Sequence, residues 1–210
     1  MSLINDISEK LKQGKKKDVE ALITEALDAG VSAREILNDG LLAGMNVVGA
    51  KFKANEIFVP EVLIAARAMK AGTELLKSHL VDADVEPVGK VVLGTVKGDL
   101  HDIGKNLVKM MLEGKGLEVI DLGTDVDPQA FVDTAISEGA GVICCSALLT
   151  TTMGQMKNVV DLCISAGIRD KVKIMVGGAP ITDEFCKEIG ADAYTADAAS
   201  CAEVARSFFG

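Results

Sequence analysis

The residues with the clearest chemical potential in this sequence form the pattern Asp99-x-His101-x-x-Gly104. His101 is one of two histidines in the chain, and an apolar run over 91–96 ends shortly before it. A carboxylate two residues from a histidine is well placed to hold one imidazole nitrogen and to leave the other nitrogen free for a metal ion. We therefore predict that His101 is a metal ligand whose ring is oriented by Asp99.

Two further loops of unusual composition follow predicted strands. One contains Ser146, Leu148 and a run of threonines at 150–152, and the other begins with Gly177-Gly178. The carboxyl ends of parallel strands meet at one edge of a sheet, where open α/β sheets bind their ligands. A histidine at such a place is more often an ordinary loop residue when it stands alone. Together, the three loops indicate a site with a metal ligand, hydroxyl groups and a glycine slot that admits something bulky.

Several common kinds of site do not fit these residues. A phosphate-binding loop needs four residues between its first glycine and Gly-Lys, whereas five separate Gly98 from Gly104, and Asn106 stands where Ser or Thr is required. The dinucleotide fingerprint G-x-G-x-x-G is missing, and a hydrolytic triad would need a nucleophile beside His101, where the following helix looks structural. The five cysteines have no C-x-x-C spacing, so we expect free buried thiols and not a zinc cluster.

Composition narrows the range of partners. The net charge of −9 argues against a nucleic-acid partner, because phosphate binding needs a basic surface. No apolar run reaches the ~18 residues of a membrane span, and no signal-peptide pattern opens the chain. We therefore expect a cytoplasmic protein with no membrane and no nucleic-acid partner.

The first 80 residues show helical periodicity. We predict helices over 3–13 and 18–29, a third that starts at a capping box on Ser32 and continues to about Phe52, and a fourth that has Pro60 in its first turn and ends near Leu80. Short connections between the four helices favour a bundle domain over residues 1–80. The polar segment 81–89 is expected to be the interdomain linker.

From residue 90 onward, strand-like apolar runs alternate with helical segments. We predict strands at 90–96, 118–122, 141–147, 173–176 and 193–195, and helices that begin near 103, 128, 152, 183 and 198. Asp127-Pro128 and Thr182 are typical helix starts. Five strand–helix units predict an α/β domain over 90–210, Rossmann-like, with a five-stranded parallel sheet of flavodoxin-like order and flanking helices.

The three spaced motifs resemble those of the corrinoid (cobalamin-binding) proteins of methyltransferase systems, and of the cobalamin module of methionine synthase. The shared signature of that family is D-x-H-x-x-G, S-x-L and G-G, which is met here by Asp99/His101/Gly104, Ser146/Leu148 and Gly177/Gly178. Residues 44–49, 58–62 and 65–69 resemble the helical cap of the same family. The resemblance covers essentially the whole chain.

The resemblance implies a cobalamin or related corrinoid as cofactor, in which His101 replaces the cofactor's own base as the lower axial ligand of cobalt. It also implies that Asp99 accepts a hydrogen bond from His101, and that Thr152 gives this carboxylate a hydroxyl partner. Ser146 and the Gly177-Gly178 pair are then expected to line a slot for the nucleotide tail between the first and fourth strands.

The family's helical cap covers the upper face of its cofactor, and Met45, Phe58 and Leu63 are the cap residues that we expect there. Each of them fits an ordinary bundle core equally well. The full set of expected cofactor contacts comprises Gly98, Asp99, Leu100, His101, Asp102, Ile103, Gly104, Ser146, Leu148, Thr150, Gly177, Gly178 and Ala196, with those three cap residues.

The function implied by the resemblance is that of a methyl carrier in anaerobic one-carbon metabolism, not a complete enzyme. Co(I) accepts a methyl group from a substrate:corrinoid methyltransferase, and methyl-Co(III) donates it to a second methyltransferase that uses tetrahydrofolate or coenzyme M. His101 is expected to bind cobalt as the methyl group arrives and to release it as the methyl group leaves. A reductive activase is a third expected partner, and the cap is expected to swing aside for transfer.

Two other functions share this cofactor domain. A B12-dependent sensor usually carries a DNA-binding helix-turn-helix module, for which this chain has neither room nor a basic surface, and the light sensors favour a Trp that is missing here. The cobalamin subunit of an adenosylcobalamin mutase generally lacks an N-terminal four-helix cap. The methyl donor (methanol, a methylamine, a betaine or a methoxylated aromatic) is bound by the partner, so this chain has little reason to encode it.

Overall fold

In the computed structural model, the chain divides into two units, Met1–Pro87 and Val88–Gly210. The structure describes residues 2–82 and 86–210. Of the predicted linker, residues 83–85 lie outside the described residues, and Val81 and Asp82 belong to the last helix of the first unit. The Val88 N–H donates to the Gly116 carbonyl at 3.0 Å, and the Gly89 carbonyl accepts from the Glu118 N–H at 2.9 Å. Val88 and Gly89, which were predicted to be linker, therefore belong to the second unit.

The described part of the first unit is helical, with α1 (Leu3–Lys12), α2 (Lys16–Asp28), a helical stretch over 33–53 and α5 (Val59–Asp82). The predicted capping box is present, because the Ser32 hydroxyl accepts the Glu35 N–H at 3.2 Å. The helices bury one apolar stripe each, and the core between them includes Ile7, Leu11, Ile23 and Leu76, all fully buried.

The stretch 33–53 is not the uniform helix that its periodicity predicts. It consists of α3 (Ala33–Glu35), a π-helical segment (Ile36–Leu42) and α4 (Ala43–Lys53). Gly40 and Gly44 lie against α1, where an added Cβ would come 3.2 Å from Ile7 Cγ2 and 3.1 Å from the Ser8 carbonyl oxygen. A π turn holds one residue more than an α turn, and a 3.6-residue pattern cannot reveal it.

The second unit is built on a five-stranded parallel sheet of order β2-β1-β3-β4-β5, as predicted. Its strands are β1 (Lys90–Thr95), β2 (Glu118–Asp121), β3 (Val142–Ser146), β4 (Lys173–Gly177) and β5 (Ala193–Tyr194). Its helices are α6 (Ile103–Glu113), α7 (Pro128–Glu138), α8 (Gly154–Ser165), α9 (Asp183–Ile189) and α10 (Ala198–Ser207). Central strands of such sheets are covered on both faces, which explains the unbroken apolar runs of β1 and β3.

Local capping fixes where several of these helices begin. Asp127 accepts the Gln129 N–H at 3.0 Å ahead of Pro128, and Thr182 accepts the Phe185 N–H at 3.2 Å. The helix predicted to begin near Thr152 begins at Gly154 instead, because the Thr152 N–H donates to the Leu149 carbonyl at 3.1 Å and closes a turn.

Close packing beneath the sheet also depends on a glycine. Gly94 in β1 faces the fully buried Phe131 of α7, and a Cβ at this position would lie 2.7 Å from Phe131 Cζ. The strand and the helix therefore approach more closely than any larger residue would allow. No helix within 2–82 or 86–210 is both long enough and apolar enough to cross a membrane.

Candidate cofactor site

The sheet places the three motif loops, which follow β1, β3 and β4, side by side at one edge. In the strand register, Thr95 at the end of β1 pairs with Ser146 at the end of β3, and Ser146 pairs with Gly177 at the end of β4. The loops after these strands therefore leave the same edge side by side. This is the carboxyl edge at which open α/β sheets bind ligands.

Asp99 is the centre of the site, and its side chain has no exposed surface. Its Oδ1 accepts from His101 Nδ1 at 2.8 Å and from the His101 N–H at 3.1 Å. Its Oδ2 accepts from the N–H groups of Leu148 at 2.8 Å and Leu149 at 3.1 Å, and from Thr152 Oγ1 at 3.0 Å. The contacts expected of Asp99 with His101 and Thr152 are both present, and the carboxylate ties the first loop to the second.

These donors keep Asp99 ionised despite its burial. Burial raises the pKa of the Asp99 carboxyl, but hydrogen bonds from Leu148, from the His101 ring and backbone, and from Leu149 outweigh it and hold the pKa well below the usual range. A proton shared by Asp99 and His101 therefore resides on Nδ1 of the imidazole. With Nδ1 as donor, Nε2 carries the lone pair that a metal ion requires.

His101 itself combines a fixed backbone with an accessible ring. Thr95 Oγ1, buried at the end of β1, donates to the His101 carbonyl oxygen at 2.9 Å. The His101 side chain is 52% exposed although its carboxylate partner is fully buried. The protein therefore fixes the Nδ1 side of the ring and leaves the ring accessible, which is the usual arrangement of a histidine that can bind a metal.

Exposed apolar side chains belong to the loops that hold His101 and its carboxylate partner. Leu100 is 72% exposed and Ile103 is 78% exposed, while Leu148 and Leu149, whose backbone holds Asp99, are 43% and 41% exposed. Large apolar side chains grouped on a surface mark a place where something apolar binds. An added Cβ on the neighbouring Gly104 meets no protein atom within 4 Å, so the chain's own packing does not require glycine there.

In the third loop, the Gly178 backbone lies directly against the end of β3. Gly178 has φ +134°, and a Cβ there would lie 1.7 Å from the Ala147 carbonyl oxygen, so only glycine fits. Ala147 N–H donates to the Gly177 carbonyl at 3.1 Å, which joins the loops after β3 and β4. Since β3 lies between β1 and β4, the slot expected between those strands has to cross the end of β3, where the half-buried Ser146 lies.

The remaining predicted contact residues are spread over both units. Thr150 and Ala196 are exposed on the loops after β3 and β5. In the first unit, Met45 is 2% exposed inside the helical core, Leu63 is half-buried on α5, and Phe58 is 65% exposed just before that helix. The contacts of these residues with a cofactor stay predictions.

Two supports of the site were missed by the sequence analysis. The Lys105 side chain is 3% exposed and its Nζ lies 2.7 Å from Asp121 Oδ1, an ion pair that links the start of α6 to the end of β2. Burial raises the pKa of Asp121, but Lys105, the Gly123 N–H and Lys109 outweigh it and lower the pKa. Asp125, in the loop after β2, accepts the Gly98 N–H at 2.7 Å. The Lys105–Asp121 pair could have been suspected from the sequence, because Lys105 falls on the buried side of α6. The bond from Gly98 to Asp125 could not, because an acidic residue in a loop is not unusual.

The donor set suits a metal that arrives with most of its ligands. Among the described residues, no group of three or more His, Cys, Asp or Glu side chains is placed to hold a bare metal ion. A metal in a macrocycle would need one further ligand from the protein, for which His101 is available, and an apolar surface, for which the leucines and Ile103 are available. The residues present therefore fit a corrinoid.

A Rossmann-like sheet whose edge presents a carboxylate-held histidine among apolar loops defines a class of cobalamin-binding domains, and comparison with known proteins agrees. Residues 89–204 match a family described as B12 binding domain, and residues 3–77 match a second family with the same description.

Similar proteins cover the whole chain. A corrinoid protein of Desulfitobacterium hafniense (strain Y51) is 38% identical over 213 residues, covering 100% of this chain and 99% of that protein. The dimethylamine corrinoid protein of Methanosarcina barkeri is 44% identical over 184 residues, covering 87% of this chain and 86% of that protein. The crystal structure of a methanol:cobalamin methyltransferase complex from Methanosarcina barkeri superimposes with a TM-score of 0.91 at 32% identity, covering 99% of this chain and 79% of that chain. The chain therefore belongs to the corrinoid proteins of methyltransferase systems, and its cofactor is cobalamin or a related corrinoid.

Proposed function

We propose that this chain is a methyl carrier that receives a methyl group from a substrate:corrinoid methyltransferase and delivers it to a second methyltransferase that serves tetrahydrofolate or coenzyme M. The observation that carries the proposal is the half-exposed His101 ring, held through Nδ1 at 2.8 Å by a fully buried carboxylate. Relatives named for dimethylamine, and a solved complex named for methanol, support a place in such a system. A reductive activase is the third partner that we propose.

When bound, the corrinoid supplies a cobalt ion that accepts and releases a methyl group. In this proposal His101 Nε2 is the protein ligand of cobalt, because Nδ1 is already committed to Asp99. Leu100, Ile103 and Leu148 give the macrocycle an apolar seat, and Gly104 leaves room for it to come close. Ser146 and Gly177-Gly178 admit the nucleotide tail.

We propose that Asp99 and Thr152 support His101 both when its Nε2 binds cobalt and when it does not. With Nε2 bound to cobalt, the Asp99 carboxylate would raise the basicity of the imidazole, as a hydrogen-bonded carboxylate does behind a metal-bound histidine. If Nε2 were free of cobalt, a proton taken up by the network would not rest on Asp99, because five hydrogen-bond donors stabilise the ionised form of this carboxylate. Ligation and proton uptake are thereby coupled through one side chain.

We also propose that the protein works in the cytoplasm. Its five cysteines are all free and buried, and none is paired in a disulfide. Thiols persist in this state in a reducing compartment.

The test is reconstitution of the full chain with hydroxocobalamin under anaerobic conditions, followed by desalting and EPR of the Co(II) form with nitrogen-15-labelled histidine. The chain has one other histidine, His79, so His79→Gln is the matched control that keeps every site contact. We expect one corrinoid per chain and histidine-nitrogen coupling in the wild type and in His79→Gln, and loss of coupling in His101→Ala. Coupling from the cofactor's own base in the wild type would refute the role of His101, and loss of the corrinoid on desalting would refute the carrier function itself.

A further inference from the structure

Asp125, in the loop after β2, both accepts a hydrogen bond from and donates one to the start of the loop after β1, which carries His101. Its Oδ1 accepts the Gly98 N–H at 2.7 Å, and its own N–H donates to the Asp99 carbonyl oxygen at 3.0 Å. Bonds that run in opposite directions between two segments fix their relative position. A second side-chain link between these segments, Lys97 with Asp127 at 2.7 Å, joins two groups that are each 55% exposed, and it involves neither Gly98 nor Asp99.

The backbone of Asp125 adds to the case for its side chain. Asp125 has φ +55°, and among the described residues only Asn55 shares this left-handed region without being glycine. A Cβ is unfavourable there, although Asp and Asn tolerate the conformation better than other residues. Glycine would satisfy the backbone more easily, so what Asp125 contributes is the carboxylate oxygen that holds Gly98.

Gly98 links Asp125 to the site, because it is hydrogen-bonded to Asp125 and directly precedes Asp99. It has φ +82°, and an added Cβ would be 3.4 Å from Thr152 Cγ2, so it lies in contact distance of the second motif loop while its N–H is held by Asp125. The next residue is Asp99, whose two carboxylate oxygens hold Thr152 on one side and His101 on the other. A displacement of Gly98 therefore moves the carboxylate that orients the imidazole.

We propose that Asp125 is a positioning residue for cobalt ligation: through the backbone of Gly98 and Asp99 it holds His101 in the orientation that binds the metal, without touching the cofactor. The inference rests on the proposed function, in which His101 is the cobalt ligand. It assigns to the β2–α7 loop, which carries none of the three motifs, control over the balance between ligated and free histidine.

Three substitutions separate the possible contributions of Asp125. Asp125→Asn keeps an oxygen acceptor for Gly98 and suits the left-handed backbone but removes the charge. Asp125→Ala removes the acceptor and keeps a Cβ, whereas Asp125→Gly removes the acceptor and relieves the backbone. Lys97→Ala is the matched control, because it cuts the other side-chain link between the same two loops.

The first readout uses the full chain without cofactor. Hydrogen exchange at the Gly98 amide, followed by NMR, is expected to be about tenfold faster in Asp125→Ala and Asp125→Gly, as for loss of a hydrogen bond to a charged acceptor, and close to wild type in Asp125→Asn and Lys97→Ala. Asp125→Gly guards against misfolding, since glycine is the residue that this backbone conformation favours.

The second readout is the EPR spectrum of the same variants loaded with hydroxocobalamin and reduced to Co(II). We expect the ratio of histidine-ligated to unligated cobalt to fall about tenfold in Asp125→Ala and Asp125→Gly and to stay within about threefold of wild type in Asp125→Asn and Lys97→Ala. Wild-type ligation in Asp125→Ala or Asp125→Gly would overturn the proposal, as would an equal loss in Lys97→Ala. A wild-type protein without histidine coupling would instead refute the proposed function, and this inference with it.

Discussion

At the scale of single residues, the site depends on one buried charge. Asp99 has no exposed surface, and yet its pKa is held low because donors from two loops converge on it. The same donors that keep it ionised also connect the histidine loop to the loop after β3. One carboxylate therefore both orients His101 and joins the loop after β1 to the loop after β3.

The pH dependence of folding follows from this charge. A carboxyl whose pKa is lower in the folded chain than its ordinary value of 3.8 contributes stability that is complete above that value and is lost as the pH falls below it. Asp99→Asn leaves backbone donors of Leu148 and Leu149 without their charged acceptor, so we expect it to cost about 1–3 kcal/mol of unfolding free energy at pH 7.

Urea unfolding of the full chain without cofactor, at pH 7 and at steps down to pH 3, measures this difference. The gap between wild type and Asp99→Asn is expected to narrow as the pH falls below 4, while Asp133→Asn, an exposed carboxylate on α7, serves as the control with no such gap. A gap that stays constant over the whole range would show that Asp99 is not stabilised as an anion.

At the scale of elements, strand register and two glycines shape the site. The ends of β1, β3 and β4 are paired residue to residue, so the three motifs are placed together by the sheet and not by their own sequences. Gly104 and Gly178 illustrate opposite reasons for a glycine, because the first has open space around it and the second has none.

For Gly104→Ala we expect a stable protein that binds its cofactor poorly. Gly104 lies in the first turn of α6 with ordinary helical backbone and no protein atom within 4 Å of an added Cβ, so alanine should leave stability unchanged or raise it by about 0.5–1 kcal/mol. The added methyl group stands where we propose that the macrocycle approaches. Retention of hydroxocobalamin after desalting, compared with the urea midpoint of the apo chain, separates the two effects; full retention would contradict the proposed seat.

For Gly178→Ala we expect loss of folding stability itself. The added Cβ would meet the Ala147 carbonyl at 1.7 Å, a backbone group that cannot move aside without breaking the contact between the loops after β3 and β4. We expect a cost of at least about 3 kcal/mol, at the upper end for single substitutions. Gly139→Ala, at the left-handed end of α7 with nothing within 4 Å, should cost only about 1–2 kcal/mol in the same denaturation experiment, and equal costs would contradict this explanation.

At the scale of the whole molecule, one chain joins a helical unit, Met1–Pro87, to a cofactor-binding unit, Val88–Gly210. The motif residues that we propose as cofactor contacts lie in the second unit, at the ends of β1, β3 and β4. In the proposed function the carrier presents the same bound group to successive enzymes, and a cofactor held at the edge of a sheet suits that task.

Cofactor removal should therefore lower the stability of the full chain. A ligand that binds only the folded state contributes about 4 kcal/mol when its free concentration is 1,000 times its Kd. Thermal unfolding followed by circular dichroism should show a higher midpoint for the chain loaded with hydroxocobalamin than for the apo chain, and a smaller rise for His101→Ala. An identical rise in that variant would indicate that the corrinoid is held without the histidine.

The sequence by itself determined the alternation of strands and helices, the caps at Ser32, Asp127 and Thr182, and the residues of the D-x-H-x-x-G motif. Such features follow from periodicity and from contacts only a few residues apart, which are written in the local sequence. The tertiary structure alone decided the π segment at Ile36–Leu42 and the bond from Asp125 to Gly98. It also decided the burial of Asp99 against a loop about 50 residues away. These depend on which distant segments meet when the sheet forms, and no local pattern specifies that meeting.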